Sequence, residues 1–243
     1  MRIKTRLIEY EDEDDTLEGC LAWDDDLEGP RPGILVAHTW AGRGDFEDGK
    51  ASDLAELGYA GFALDLYGKG VRGSGPEECS RLIRPFMDDR ARLQHRLVRT
   101  LGLLREQKFV DKSRVAAIGF CFGGLCVLDL ARTGENMAGV VSFHGLLGSP
   151  GNTAGNRIKA RILALHGFDD PMAPPEAVLA FASEVTGMGA DWQLHAYGNT
   201  MHAFTNPKAN DPERGTVYNS SADRRSWTAM RNFFSELFNE GMK

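Results

Sequence analysis

The sequence predicts a three-layer α/β fold, with a mostly parallel central sheet and an antiparallel hairpin at its N-terminal edge. Three observations predict it. Short apolar runs alternate with amphipathic helical stretches from residue 34 onward, the connections between them are short, and the two opening segments are partly alternating. Strands that are apolar throughout belong to a parallel sheet covered on both faces. Strand-helix repetition with short connections then stacks helices on that sheet.

The elements follow in order. "IKTRLIEY" and "LEGCLAWDD" read as an edge hairpin joined by an acidic connector. After the turn signal "GPRPG", Ile34-Leu35-Val36-Ala37 is a continuous apolar strand, and the helix that follows ends at Gly58. Residues 59–66 form a strand, and residues 77–107 are mostly helix with a break near Asp88. A strand over 115–119 leads into a helix over 123–132. Strands over 139–143 and 160–166 precede a helix over 174–186, and a last strand covers 192–197. In the final helix, 222–238, Trp227, Met230, Phe234 and Leu237 recur at helical spacing and make one docking stripe. Residues 148–155 are a flexible loop, too short to divide domains.

At 243 residues the chain is expected to form a single domain, 1–243. Its 42% hydrophobic and 26% charged residues are ordinary for a globular protein. A net charge of −7 argues against a nucleic-acid or anionic-membrane partner, both of which favour basic surfaces. The acidic runs at 9–15 and 24–28 read as solvated turns. No apolar stretch approaches the roughly 20 residues that span a bilayer. The N-terminus has basic residues without an apolar core after them, so it does not read as a signal peptide. The four cysteines, Cys20, Cys79, Cys121 and Cys126, show neither a disulfide framework nor metal-ligand spacing. Reduced thiols in a cytoplasmic compartment are the expectation, with no metal and no cofactor.

The chemistry concentrates where "VAAIGFCFGG" stops. A strand ending in Gly-x-Cys-x-Gly turns tightly into a helix and presents the central side chain above the sheet's carboxyl edge. The positive helix N-terminus favours a thiolate there. Phe122 N–H is positioned for a developing oxyanion. Taken alone, Cys121 is as well explained as a small buried residue; Cys126, unframed by glycine, is read as that. A thiol nucleophile needs a base and an orienting acid. "ILALHGFDDPMAP" places Asp169 or Asp170 at a strand end; Asp170, three residues after Gly167, is favoured, and Asp169 reads as a turn-capping neighbour. "LHAYGNTMHAF" then supplies His202 on a loop. The order nucleophile, acid, histidine is that of α/β-hydrolases. His95 and His195 read as structural and His166 as a packing residue, while His38 and His144 follow strands and are candidates to line a pocket.

The set "GFCFGG", "HGFDDPMAP", "MHAF" and "LDLYGKG" resembles the dienelactone hydrolase family of α/β-hydrolases, from about Gly33 to the final helix. The resemblance implies an α/β-hydrolase fold without a large cap domain and a triad of Cys121, His202 and Asp170. It also implies an oxyanion hole from the backbone N–H groups of Phe122 and Trp40. Thr39, Tyr67, His144 and Phe204 are the candidate pocket residues. Two positions depart from the family pattern: Thr39 stands where dienelactone hydrolases carry a glutamate, and Asn206 where they carry an arginine. Arg81 and Arg84 read as surface residues. The function implied is hydrolysis of a small-molecule ester or lactone through a thioester acyl-enzyme, by a monomer or homodimer. A redox-sensing or amidotransferase-type cysteine elbow and a non-catalytic ligand-binding descendant are the rival readings.

Overall fold

The computed structural model describes residues 1–239. Its eight-stranded sheet has the order β1-β2-β4-β3-β5-β6-β7-β8. The chain gathers into two compact units, Met1–Ile118 and Gly119–Lys243.

In the first unit, β1 (Ile3–Asp12) and β2 (Asp15–Asp24) form the expected antiparallel hairpin. β2 also pairs antiparallel with β4 (Ala60–Ala63), and β4 pairs parallel with β3 (Arg31–Ala37). β3 is buried along its whole length, as a strand in the middle of a parallel sheet must be. α1 (Asp45–Glu56) stops where Gly58 takes φ 89°, a left-handed conformation that glycine adopts without a Cβ clash. The long helical stretch divides into α2 (Pro76–Asp88) and α3 (Arg90–Arg105). The break falls at Asp89, whose side chain accepts from Arg92 N–H and caps α3.

One expectation fails here. The acidic run at 9–15 is a solvated turn only at Glu13 and Asp14. Most of it is strand, and Asp12 is buried against Arg96, whose Nε donates to Asp12 at 2.7 Å and whose Nη2 donates to Asp15 at 2.6 Å. A buried guanidinium on α3 needs partners, and the hairpin brings the carboxylates in to meet it.

β5 (Val110–Phe120) starts five residues earlier than its apolar run suggested and crosses from the first unit into the second. The second unit continues with α4 (Phe122–Arg132), β6 (Gly139–Phe143), β7 (Arg161–Gly167), α5 (Pro175–Gly187) and β8 (Trp192–Tyr197). β6, β7 and β8 pair in parallel, so Phe143, Gly167 and Tyr197 end on one edge. Two short antiparallel strands, β9 (Asn210–Asp211) and β10 (Thr216–Val217), follow. α6 (Ser220–Asn239) closes the unit with Ala222, Ser226, Met230, Phe233, Phe234 and Phe238 buried, and it packs on β6 and β7. Trp227 and Leu237 lie at the margin of that stripe. Among the described residues, no helix is long and apolar enough to cross a membrane.

Candidate active site

The second unit brings Cys121, Asp170 and His202 together at the carboxyl edge of its parallel strands. Cys121 sits at φ 57°, ψ −115°, between the last residue of β5 and the first of α4. A non-glycine residue is rarely found there, and such strain is retained when the surroundings over-determine it. The surroundings here are backbone. A Cβ on Gly119 would overlap the Gly123 carbonyl, so the strand and helix approach closely only because residue 119 is glycine. Cys121 N–H donates to Phe143 O at 3.0 Å and to His144 Nδ1 at 3.1 Å, which ties the elbow to the end of β6. Phe122 is the first residue of α4, so its backbone N–H lies at the positive end of the helix dipole.

Asp170 is 2% exposed and His202 1% exposed. His202 Nδ1–H donates to Asp170 Oδ2 at 2.7 Å, and Asp170 Oδ1 accepts from Met172 N–H at 2.8 Å. Asp169, by contrast, is exposed and caps Thr200 N–H at 3.0 Å. Burial opposes charge on His202, but the Cys121 sulfur and the Asp170 carboxylate outweigh it and raise the imidazole to about 10. Nε2 is buried without a well-aligned hydrogen bond, yet Cys121 acts on the ring by both charge and hydrogen bonding. Catalytic hydrogen bonds are often long or poorly aligned before substrate arrives.

The loop that carries His202 is fixed by residues outside the sequence motifs. His202 N–H donates to Gly215 O at 2.8 Å, Val217 N–H donates to His202 O at 3.0 Å, and His202 bridges Thr216. Thr205 reaches back to His144, whose Nε2 lies 2.8 Å from its hydroxyl. Thr205, Gly215 and Thr216 carry no chemical signature of their own, and only their backbone positions bring them to the site.

The remaining candidates fall in different places. Phe204 is fully buried and stands edge-on to His144, with ring centroids 5.0 Å apart. His144 is itself only 2% exposed. Both side chains are thus buried beside the reactive groups. Asn206 Oδ1 accepts from Lys208 N–H at 3.0 Å. His166 is buried, and His195 is exposed beside Gln193. Cys126 is buried inside α4.

In the first unit, His38 Nδ1–H donates to Thr39 O at 2.6 Å, and His38 Nε2 accepts from Leu66 N–H at 3.2 Å. Pinning the Thr39 carbonyl also sets the direction of Trp40 N–H, because the two lie on opposite edges of one trans peptide. Tyr67 Oη–H donates to Trp40 O at 3.0 Å, and the buried carboxylate of Glu47 accepts from Thr39 N–H at 3.1 Å and Gly44 N–H at 2.9 Å. Glu47 therefore clamps this loop from α1, a role no motif announced. Arg81 and Arg84 are exposed on α2 and pair with Glu78 and Asp88. Two recesses of about 300 and 230 Å³ lie in this unit, and neither is lined by Cys121, Asp170 or His202. Among the described residues, no cluster of side chains has the makings of a metal site.

Comparison with known proteins agrees with the geometry. Residues 17–238 match the model of the dienelactone hydrolase family. The chain is similar, at 39% identity and a TM-score of 0.91, to the structure of a dienelactone hydrolase-like promiscuous phosphotriesterase from metagenomic libraries, covering 97% of this chain and 98% of that one. A structure described as m3DLH gives 39% identity and a TM-score of 0.92 over 97% of this chain and 99% of that one. An uncharacterized protein of Caenorhabditis elegans is 35% identical over 62% of this chain and 98% of its own length. With the family model spanning both units and the same fold in the two solved structures, the chain belongs to the dienelactone hydrolase family and is a hydrolase of that kind.

Proposed function

We propose that this hydrolase acts on small esters or lactones through a cysteine nucleophile. The observation that carries the reading is His202, hydrogen-bonded on one side to a buried Asp170 at 2.7 Å and coupled on the other to the Cys121 sulfur. His202 takes or already holds the thiol proton, and the sulfur attacks the substrate carbonyl. Phe122 N–H receives the developing oxyanion. Collapse of the tetrahedral intermediate expels the alcohol or enol, which leaves with the proton from His202. Water then gives a proton to His202 and attacks the thioester carbonyl, releasing the acid and returning the thiol. Asp170 holds the imidazole in the needed tautomer and stabilises its charge. Good leaving groups suit a thiolate, so enol, aryl and thiol esters are the expected substrates. Four free cysteines suit a reducing, cytoplasmic compartment.

The test is Cys121→Ala. Turnover of p-nitrophenyl esters and thioesters should vanish, together with the acylated Cys121 that mass spectrometry traps in the unsubstituted protein, while the circular dichroism spectrum stays unchanged. Undiminished hydrolysis by the variant would remove the proposal.

The relative described as a promiscuous phosphotriesterase favours a second reading of the same groups. Here the sulfur attacks phosphorus in an aryl phosphotriester, the aryl oxide leaves with a proton from His202, and water releases the diester. A p-nitrophenyl phosphotriester in the same assay tests it, the marker being a phosphorylated rather than an acylated Cys121.

A further inference from the structure

Between the nucleophile and the base stands a residue that the mechanism above does not use. His144 follows β6 at φ 38°, a left-handed conformation uncommon outside glycine, and its own N–H donates to Leu165 O at 2.8 Å. Its Nδ1 accepts from Cys121 N–H at 3.1 Å, so in the neutral ring the proton lies on Nε2. Nε2–H then donates to Thr205 Oγ1 at 2.8 Å, three residues beyond His202 on the same loop. The ring also stands edge-on to His202, with centroids 5.1 Å apart. One imidazole thus spans the elbow and the histidine loop. We infer that His144 is a positioning residue, a neutral strut that fixes the separation and orientation of Cys121 and His202 through the chain Cys121 N–H, His144, Thr205.

Burial keeps this ring neutral, and the charge of His202 adds to that effect. Neutrality matters structurally, because a protonated His144 would have no acceptor nitrogen for the Cys121 amide, which would keep only its bond to Phe143 O. Thr205 bonds to His144 rather than to His202, and Phe204 closes the remaining face of the ring. The inference rests on the proposed cysteine hydrolase, so its test needs a readout that does not require turnover.

Three variants supply it: His144→Phe, which keeps a ring without nitrogens, Thr205→Val, which deletes only the hydroxyl, and Thr205→Ser, which restores it. Two properties are measured, the pH profile of Cys121 alkylation by iodoacetamide, followed by mass spectrometry, and kcat and KM on p-nitrophenyl acetate per alkylatable thiol. In His144→Phe the alkylation profile should move and kcat should fall about tenfold or more, with KM little changed, as expected when reacting groups are displaced by a fraction of an ångström. Thr205→Val should move both in the same direction, and Thr205→Ser should return them to the unsubstituted values. Should His144→Phe not fold, the Thr205 pair decides alone. Unchanged profiles and kcat in Thr205→Val and in any folded His144→Phe would overturn the strut while leaving the hydrolase reading intact. A shifted alkylation profile in a protein whose Cys121→Ala variant hydrolyses esters undiminished would sustain the strut and remove the hydrolase reading instead.

Discussion

Asp170 shows how much rests on single atoms. One carboxylate oxygen faces His202 Nδ1 and the other is held by Met172 N–H, so the side chain has no freedom to turn away. Asp170→Asn keeps the shape and removes the charge, leaving the imidazole without its acceptor and in the wrong tautomer. By analogy with other acyl-transfer triads, kcat should fall by about 10³–10⁴-fold; a steady-state assay on an aryl ester checks it, and a loss confined to KM would contradict the role given to Asp170. Cys121, Asp170 and His202 were legible in the sequence because each carries local punctuation: glycines around the thiol, a Gly-x-x-Asp turn, a loop after an apolar run. Thr205, Glu47 and the supporting role of His144 were not. Their significance lies in partners 61, 8 and 23 residues away, and sequence carries no local trace of such hydrogen bonds.

At the scale of elements, the apolar runs fixed which segments are strands, and the glycine and proline signals fixed most ends. The exceptions share a cause. β5 extends backward through Asp111, Lys112 and Ser113, polar residues that belong to the ladder without contributing to an apolar pattern. β9 and β10 are two residues each, too short for any period to register. Within the acidic run at 9–15, Asp12 and Asp15 were misread because their meaning lies in Arg96, more than eighty residues on. That guanidinium, 1% exposed, binds Asp12, Asp15 and the Leu66 carbonyl at once. Arg96→Ala would leave Asp12 charged and buried without its partner, and the expected loss is about 3–5 kcal/mol. Urea denaturation measures it, and a loss within the few tenths of a kcal/mol usual for a surface substitution would show the network to be dispensable.

For the molecule as a whole, the buried imidazoles set a stability that falls on both sides of neutrality. His38, His144 and His166 are held below the ordinary imidazole value of 6.5 by burial. The stability they lend is present above 6.5 and is lost as pH falls, because the unfolded chain then takes up protons that the folded chain refuses. His202 has the opposite sign: raised from 6.5 to about 10, it lends stability that is full below 6.5 and is lost as pH rises toward about 10. Thermal denaturation across this range should therefore peak near 6.5, and His202→Gln should flatten the alkaline limb. Because the His202 charge also helps hold His144 and His166 down, the acid limb should shrink but persist, burial being its larger cause. An alkaline limb unaltered in that variant would remove His202 as its source. The sequence by itself determined the alternation of strand and helix, the strained thiol between glycines, and the chain order of nucleophile, acid and base, because each is written in neighbouring residues through backbone sterics and hydrophobic period. Only the tertiary structure decided which aspartate faces the histidine, which imidazole braces the elbow and where the buried arginine finds its carboxylates. Those outcomes depend on distances between segments far apart along the chain, and such distances exist only once the sheet has assembled.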